Sequence, residues 1–157
     1  MNGSPERSIR MGEMAIGSQG EELRTLLGSC IGVAIYSSRA KVGGLVHIVL
    51  PQSRGKVENP FRFADTGVPA LRDAILETAG RQLNLVAKIA GGAAMFGDKN
   101  QQTIGGRNEE ACRIALRALR IPIMADHCGG EQGRRMLLET ATGRVIIEQV
   151  GLATIEI

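Results

Sequence analysis

Two aliphatic, β-branched runs joined by a short polar link restrict the fold of this chain more than any other feature. Residues 31–36 read IGVAIY and residues 44–50 read GLVHIVL, and both compositions are typical of β-strands. The link between them, residues 37–43, is too short to carry a crossover connection. The two runs are therefore predicted to form an antiparallel hairpin.

The length of the turn sets the register of this hairpin, and two registers are open. A two-residue turn at 38–39 would place His47 directly opposite Cys30. A four-residue loop at 38–41 would place His47 opposite Gly32 and diagonal to Cys30. Because side chains alternate along a strand, both registers put Cys30 and His47 on the same face of the sheet.

The two faces of the predicted hairpin differ in the size of their side chains. Residues next to the cysteine on its own face, Gly32 and Ala34, are small. We therefore expect the cysteine and the histidine to project together into an open pocket with room for a substrate side chain. The opposite face is predicted to be core and carries Ile31, Val33, Ile35, Val46, Ile48 and Leu50.

The rest of the chain predicts one α/β domain over residues 1–157, in which residues 1–8 form a loose tail. Aromatic residues make up 3% of the sequence and tryptophan is absent, so the core must be aliphatic. The expected fold is a layered sandwich with a mixed, largely antiparallel sheet and two main helices. The further predicted strands are 10–16, 22–27, 85–90, 121–125, 136–139 and 145–150, and the helices begin at Asp65 or Thr66 and at Asn108 and follow apolar periodicity.

Charge, cysteine content and hydropathy exclude several classes of protein. The net charge of +3 is small and few aromatics are available for stacking on bases, which argues against nucleic-acid binding. No apolar run has the length of a membrane-spanning helix, and the first residues lack a secretory signal. Three cysteines do not suit a disulfide framework. A cytoplasmic location with free thiols is expected, without membrane insertion.

Cys30 and His47 can be interpreted in two ways. A buried cysteine is often a small core residue, and a single histidine often pairs with the backbone. A thiol beside an imidazole can instead lose its proton to the ring and attack a carbonyl carbon. Amides in the turn at Gly28 and Ser29 would then stabilise the oxyanion.

Four segments of the sequence together resemble the bacterial chemotaxis protein family CheD. They are LGSC, GGLVHIVLP, AKIAGGAAMF and IGGRNEEA, and the likeness extends from about Met11 to Val150. The resemblance implies an α/β sandwich related to the catalytic domain of the cytotoxic necrotizing factor toxins. It also implies a cysteine-dependent glutaminase that converts glutamines of methyl-accepting chemotaxis receptors to glutamate, without a cofactor or metal.

The resemblance assigns roles to particular residues of this chain. Cys30 matches the family's nucleophile, and His47 matches its base and acid. The third member in the family is a threonine shortly before the cysteine, for which Thr25 is the nearby candidate. In the family pattern this threonine can lie one residue earlier, where this chain has Arg24. A shift of one residue reverses the face of a strand, so Thr25 either orients His47 or is simply a strand residue.

Glycines after a later strand are the next candidates. Gly91 and Gly92 lack the motif of a phosphate-binding loop, and we expect them to approach the backbone closely at the rim of the substrate or oxyanion region. Phe96 in the following loop is either a core residue or a docking residue. Asn108 is predicted to cap the second helix. The alternative is that Arg107 and Asn108 form a pair that binds an anion or clamps the backbone.

The remaining cysteines and histidine are less informative. His127 and Cys128 are adjacent, which matches no standard zinc spacing. Cys128 is expected in a loop and Cys112 in helix packing. Asp126 and His127 are candidates for the border of the site.

Two other functions remain open at this point. The chain could be a non-catalytic adaptor that regulates a receptor array or a CheC-type phosphatase, which the resemblance names as a partner. It could also use the same thiol as an esterase that removes receptor methyl groups.

Overall fold

The fold is described from a computed structural model, which covers residues 5–95 and 103–157. Phe96 lies outside these residues. The strands are β1 Glu6–Ser8, β2 Met14–Ser18, β3 Glu22–Leu27, β4 Ile31–Ser37, β5 Val42–Ile48, β6 Val86–Gly91, β7 Ile123–Cys128, β8 Arg134–Glu139, β9 Val145–Glu148 and β10 Ile155–Glu156. The helices are α1 Ala64–Ala79 and α2 Ile104–Ala118, and a 3-10 turn spans Pro60–Arg62.

The ten strands divide into two five-stranded sheets. The first sheet has the order β1-β3-β8-β9-β10, and the second has the order β2-β5-β4-β6-β7. Each sheet contains one parallel pair, β1 with β3 and β6 with β7, and its other pairs are antiparallel. The predicted α/β sandwich with two helices is thus confirmed, although its strands form two sheets rather than one.

The second sheet is the middle layer of three. Its β4 and β5 residues Ile31, Val33 and Ile48 pack with both helices in one core. On its other face, Ala34 and Leu45 pack against the first sheet in a separate core. The largely aliphatic core expected from the composition is therefore split in two by this sheet.

The β4–β5 hairpin adopts the register of the four-residue loop. Ser37 pairs with Val42, and Gly32 pairs with His47. Cys30, which lies one residue before β4, is therefore diagonal to His47 on the same face. The shared face of the cysteine and the histidine, which both registers predicted, is confirmed.

Both helices begin earlier than predicted. Asp65 lies inside α1, because Phe63 occupies the N-cap position without a side-chain hydrogen bond. Thr103 caps α2 by accepting a hydrogen bond from the Gly106 N–H. Asn108 therefore does not cap this helix, which corrects the prediction. Its side chain lies on the buried stripe of α2 and takes part in the site described below.

The expected loose tail over residues 1–8 is wrong for its last three residues. Residues 6–8 form β1, which pairs in parallel with β3 from Glu22 to Arg24. All three residues are polar and exposed, so this short segment carries no apolar pattern by which a strand could be recognised without its partner. Along the described chain, the model contains no helix with the length and apolar character that crossing a membrane requires.

Candidate active site

Cys30 lies in the short connection between the two sheets, residues 28–30 between β3 and β4. This connection is called the cysteine loop below. Its carbonyl accepts a hydrogen bond from the Gly92 N–H at 2.9 Å. Two residues earlier, the Gly28 carbonyl accepts one from the Ala93 N–H at 3.0 Å. The segment after β6 thus holds the backbone of the cysteine loop at two points.

Only glycine fits at the position where β6 approaches this loop. Gly91 has φ +115°, a conformation that residues with a side chain rarely adopt. A Cβ atom built on Gly91 would lie 2.1 Å from the Cys30 carbonyl oxygen. This is the close backbone approach that the sequence favoured over a phosphate-binding loop.

His47 is fixed in β5 through its backbone and its ring. Its N–H donates to the Glu13 carbonyl, and its carbonyl accepts from the Gly12 N–H, each at 3.0 Å. The ring Nδ1 lies 2.7 Å from Thr25 Oγ1. Only 3% of His47 is exposed, so the ring lies between the two sheets.

Thr25 has the inward position on β3 that the alternation of the strand requires. Leu23, Thr25 and Leu27 are buried, whereas the Arg24 side chain points outward and pairs with Glu6 at 2.9 Å. Of the two neighbouring positions that the family pattern left open, Thr25 is therefore the one that contacts His47. The structure brings Thr25, Cys30 and His47 to the same region between the sheets.

The hydrogen bonds of Thr25 determine the tautomer of the His47 ring. The threonine hydroxyl donates its single proton to the Ile9 carbonyl at 2.6 Å. It can therefore only accept from His47, so Nδ1 carries the proton. Nε2 is left as a base with a free lone pair, and this buried atom has no hydrogen-bond partner among the described residues.

Burial keeps the side chains of Cys30 and His47 neutral in this conformation. It raises the pKa of the Cys30 thiol, an effect that the positive charge of Arg62 partly offsets. Burial also lowers the pKa of His47 to about 4. The arrangement thus stores a thiol and a neutral imidazole rather than a thiolate–imidazolium pair, because desolvation disfavours both charged forms.

The open pocket expected around these residues is absent from the described structure. Cys30 is only 8% exposed. The small residues of its face accommodate the first sheet, since a Cβ atom on Gly32 would lie 2.6 Å from Met136 Sδ. Met136 pairs with Thr25 across β3 and β8 and is fully buried. Small side chains here therefore serve close packing between sheets.

Backbone donors are available beside the cysteine. The N–H groups of Ser29 and Cys30 form no hydrogen bond with another described residue. Two adjacent amides without partners can stabilise negative charge on a carbonyl oxygen. The oxyanion role suggested for the turn at Gly28 and Ser29 stays a prediction.

Asn108 is the residue of this region whose role the sequence analysis misjudged. Its Nδ2 donates to the Ser29 carbonyl at 3.1 Å and to the Val49 carbonyl at 2.9 Å. The side chain is completely buried. A signal was present, because Asn108 shares a helical stripe with Cys112 and Leu116, and a polar residue on an apolar stripe requires partners.

The other cysteines and His127 have structural surroundings. Cys112 is buried in the helix-side core, where Cys128 also packs. Burial strongly raises the pKa of Cys112 and raises that of Cys128 to about 12. Cys128 lies at the end of β7 and not in a loop, and Asp126 pairs with Arg113.

His127 accepts a hydrogen bond from Arg134. Within 5–95 and 103–157, no three metal-ligating side chains gather in a possible metal site.

Comparison with known proteins adds an independent line of support. Residues 49–149 match the family described as CheD chemotactic sensory transduction. A protein of Clostridium botulinum strain Hall, named probable chemoreceptor glutamine deamidase CheD, is 42% identical over 97% of this chain and 98% of its own length. A protein of Methanococcus maripaludis with the same name is 36% identical over 90% of this chain and 93% of its own length.

The matched family region begins after Thr25, Cys30 and His47. The alignment with the clostridial protein covers nearly the whole chain, so the similarity is not limited to the residues that follow His47 in the sequence. On the extent of both matches, this chain belongs to the CheD family.

Proposed function

We propose that this protein is a glutamine deamidase of chemoreceptors, with Cys30 as the nucleophile and His47 as the base and acid. The observation that carries the proposal is the hydrogen bond between Thr25 and His47. It leaves the lone pair of Nε2 unpaired on the face that Cys30 shares. The names of the relatives support the reaction and the substrate.

In the first half of the reaction the thiol becomes an acyl carrier. His47 Nε2 takes the proton of Cys30, and the sulfur attacks the side-chain carbonyl carbon of a glutamine. The Ser29 and Cys30 amides stabilise the oxyanion. The proton on Nε2 then passes to the amide nitrogen, so ammonia leaves and a thioester remains.

Water completes the reaction. Nε2 takes a proton from a water molecule, whose oxygen attacks the thioester carbonyl. The carbon–sulfur bond breaks, and the thiolate recovers the proton from His47. The sum is glutamine plus water giving glutamate plus ammonia, and the protein returns to its neutral starting state.

The low pKa of His47 keeps the ring neutral before a substrate binds, but it also makes Nε2 a weak base towards a thiol whose pKa is raised. An imidazole with a pKa of about 4 stays neutral and ready to accept a proton throughout the physiological range. Thr25 holds Nδ1 protonated, so the ring always presents Nε2 as the base. The proton moves when a carbonyl group reaches the sulfur and charge can develop next to the amides.

A groove at the end of the cysteine loop is the proposed approach for the receptor segment. It has a volume of about 570 Å³ and includes Gly28 in its lining. Leu26 and Met95 line it and are 68% and 46% exposed. Apolar side chains beside a reacting loop suit a protein substrate.

The direct test is incubation of the purified protein with receptor cytoplasmic fragments, followed by peptide mass spectrometry. We expect glutamine-to-glutamate conversion by the natural sequence and by the control Cys128→Ser. Conversion should be abolished in Cys30→Ala. Persistence of conversion in Cys30→Ala would overturn the assignment of the nucleophile.

The same incubation separates the other functions. Release of methanol from methylated receptors without release of ammonia would identify an esterase. Binding to receptors or to a CheC-type phosphatase, with neither product formed, would identify an adaptor. A CheC-type partner and a cytoplasmic location remain part of the proposal, and binding of the purified phosphatase measured by calorimetry tests the former.

A further inference from the structure

We infer that Asn108 is a positioning residue, which keeps the cysteine loop and the end of the histidine strand at a fixed separation. The inference rests on the proposed function and extends it to a residue that does not touch the reacting atoms. Asn108 lies in the second turn of α2 and is completely buried. It reaches the end of the second sheet where β4 begins and β5 ends.

The two protons of the Asn108 amide match two carbonyl groups on different segments. One acceptor is the Ser29 carbonyl, directly before Cys30, at 3.1 Å. The other is the Val49 carbonyl, two residues after His47, at 2.9 Å. A single side chain thus links the backbone next to the nucleophile with the backbone next to the base.

The link lies where regular pairing between the two strands stops. The ladder of β4 and β5 ends with Ile31 opposite Ile48. Beyond that pair, the chain turns towards β3 on one side and towards Pro51 on the other. Asn108 supplies hydrogen bonds to both departing chains, so the separation of the strand ends does not depend on the ladder alone.

The same helix also supports the rear of the cysteine loop. A Cβ atom on Gly105 would lie 2.4 Å from the Gly92 carbonyl oxygen, so α2 approaches that backbone as closely as a glycine permits. Gly92 in turn donates to the Cys30 carbonyl. The first turns of α2 therefore contact three segments that define the site.

The asparagine has a cost as well as a gain. Its Oδ1 is buried and has no hydrogen-bond partner among the described residues, which costs the desolvation free energy of that acceptor. An apolar residue on the stripe with Cys112 and Leu116 would avoid this cost but would remove the donor to the Ser29 and Val49 carbonyls. Polar residues at positions where helix packing favours an apolar side chain are found mainly at functional sites.

The expected consequence is a loss of turnover without a loss of binding. Cys30, His47 and Thr25 all remain when Asn108 is replaced, but the sulfur and Nε2 are no longer held at a fixed distance. Misplacement of reacting groups by about 1 Å can lower a rate by about 10²-fold. We expect kcat to fall by about 10- to 100-fold, with KM within about twofold.

Two substitutions test this, and one control matches them. Asn108→Leu has a similar volume and no donor, so kcat should fall equally at every pH. Asn108→Asp presents a carboxylate to two carbonyls at pH 8, but its protonated form can donate one hydrogen bond. Its kcat relative to that of the natural sequence should therefore rise as the pH is lowered to 5.5. Cys112→Ala, one turn further on the same stripe, should keep the natural kcat.

A second measurement keeps the inference independent of the proposed function. Alkylation of Cys30 by iodoacetamide, followed by mass spectrometry, reports proton transfer from the thiol without any substrate. Asn108→Leu should slow this reaction, and Cys112→Ala should not.

The outcomes separate the two claims. A natural kcat and alkylation rate in Asn108→Leu would overturn the positioning role while leaving the deamidase intact. A kcat of Asn108→Asp that does not recover at low pH would assign the residue to packing alone. Absence of deamidation by the natural sequence overturns the proposed function, and the alkylation rates then decide on Asn108.

Discussion

The two faces of the β4–β5 hairpin have opposite properties although they share one backbone. On the helix side, Ile31, Ile35 and Ile48 are fully buried and pack in one apolar cluster with residues of both helices. On the side of the first sheet, Cys30 and His47 are almost as deeply buried. That side nevertheless contains a buried ring nitrogen with no partner in the described part of the chain.

Burial therefore serves different purposes on the two faces. On the helix side it removes apolar area from water and stabilises the fold. On the other side it keeps a thiol and an imidazole neutral on a shared face of the sheet, at some cost in stability. Substitutions on one face should change stability, and substitutions on the other should change chemistry.

The largest expected effects on activity and on stability come from replacing one residue on each face in separate variants. His47→Asn retains an amide that can donate to Thr25 but lacks a base, so kcat/KM should fall by about 10³-fold, equivalent to about 4 kcal/mol. Its free energy of unfolding should change by no more than about 1 kcal/mol. Ile35→Ala should lose about 3 kcal/mol of stability through the cavity it creates.

Urea unfolding and deamidation at 20 °C, well below both unfolding transitions, measure the two effects separately. The folded fraction of Ile35→Ala should retain the natural kcat. A large loss of activity in Ile35→Ala, or natural activity in His47→Asn, would remove the distinction between the faces.

The next effect is a dependence of stability on pH that arises from one face only. The pKa of His47 is about 4 in the folded protein and about 6.5 when unfolded, so the unfolded state binds more protons between these values. Its contribution to stability is therefore complete above pH 6.5 and lost progressively as the pH falls to 4, at most about 3 kcal/mol.

Urea midpoints at pH 7.5 and 4.5 measure this loss, and His47→Asn should reduce it. His127 also has a lowered pKa, so His127→Asn is the matched control. An equal pH dependence with and without His47 would show that its burial is not what destabilises the protein in acid.

A smaller effect is expected at the residue that orients the ring. Thr25→Val removes the acceptor for the Nδ1 proton, which allows the ring to rotate or to place its proton on Nε2, and kcat should fall about tenfold. Thr25→Ser keeps the hydroxyl and should stay within about threefold. Arg24→Ala, on the outward side of the same strand, should leave kcat unchanged and cost at most about 1 kcal/mol.

A pH profile distinguishes orientation from packing in this series. In the natural protein, activity should persist down to the pKa of His47, about 4. If Thr25→Val retains the natural kcat throughout the profile, the hydrogen bond to His47 has no part in catalysis.

The hairpin could be predicted because its information is local. Alternation and a short link were enough to place Cys30 and His47 on one face, whichever turn was used. The division of the strands into two sheets was not predictable in this way. It depends on β3, which ends just before Gly28, pairing with β8 and not with the next strand β4. The local sequence does not indicate which strand β3 pairs with.

The grouping of Cys30 and His47 on one face was predictable, but their surroundings were not. Small residues at Gly32 and Ala34 suggested free space, because the sequence does not reveal that Met136 from another sheet fills it. Asn108 was assigned to a helix cap because the hydrogen-bond partner of a cap lies within a few residues along the chain. The partners of a residue that clamps two backbone segments do not. Its acceptors, Ser29 and Val49, lie 79 and 59 residues away along the chain.

The contact between Thr25 and Ile9 has a practical consequence for handling this protein. The ring of His47 is oriented by a hydroxyl whose own proton is held by the Ile9 carbonyl. A shortened or tagged variant that displaces the ninth residue would thus alter the orientation of the His47 ring while leaving Thr25, Cys30 and His47 in the sequence. Amino-terminal fusions should be compared with carboxyl-terminal ones before a low specific activity is attributed to the enzyme itself.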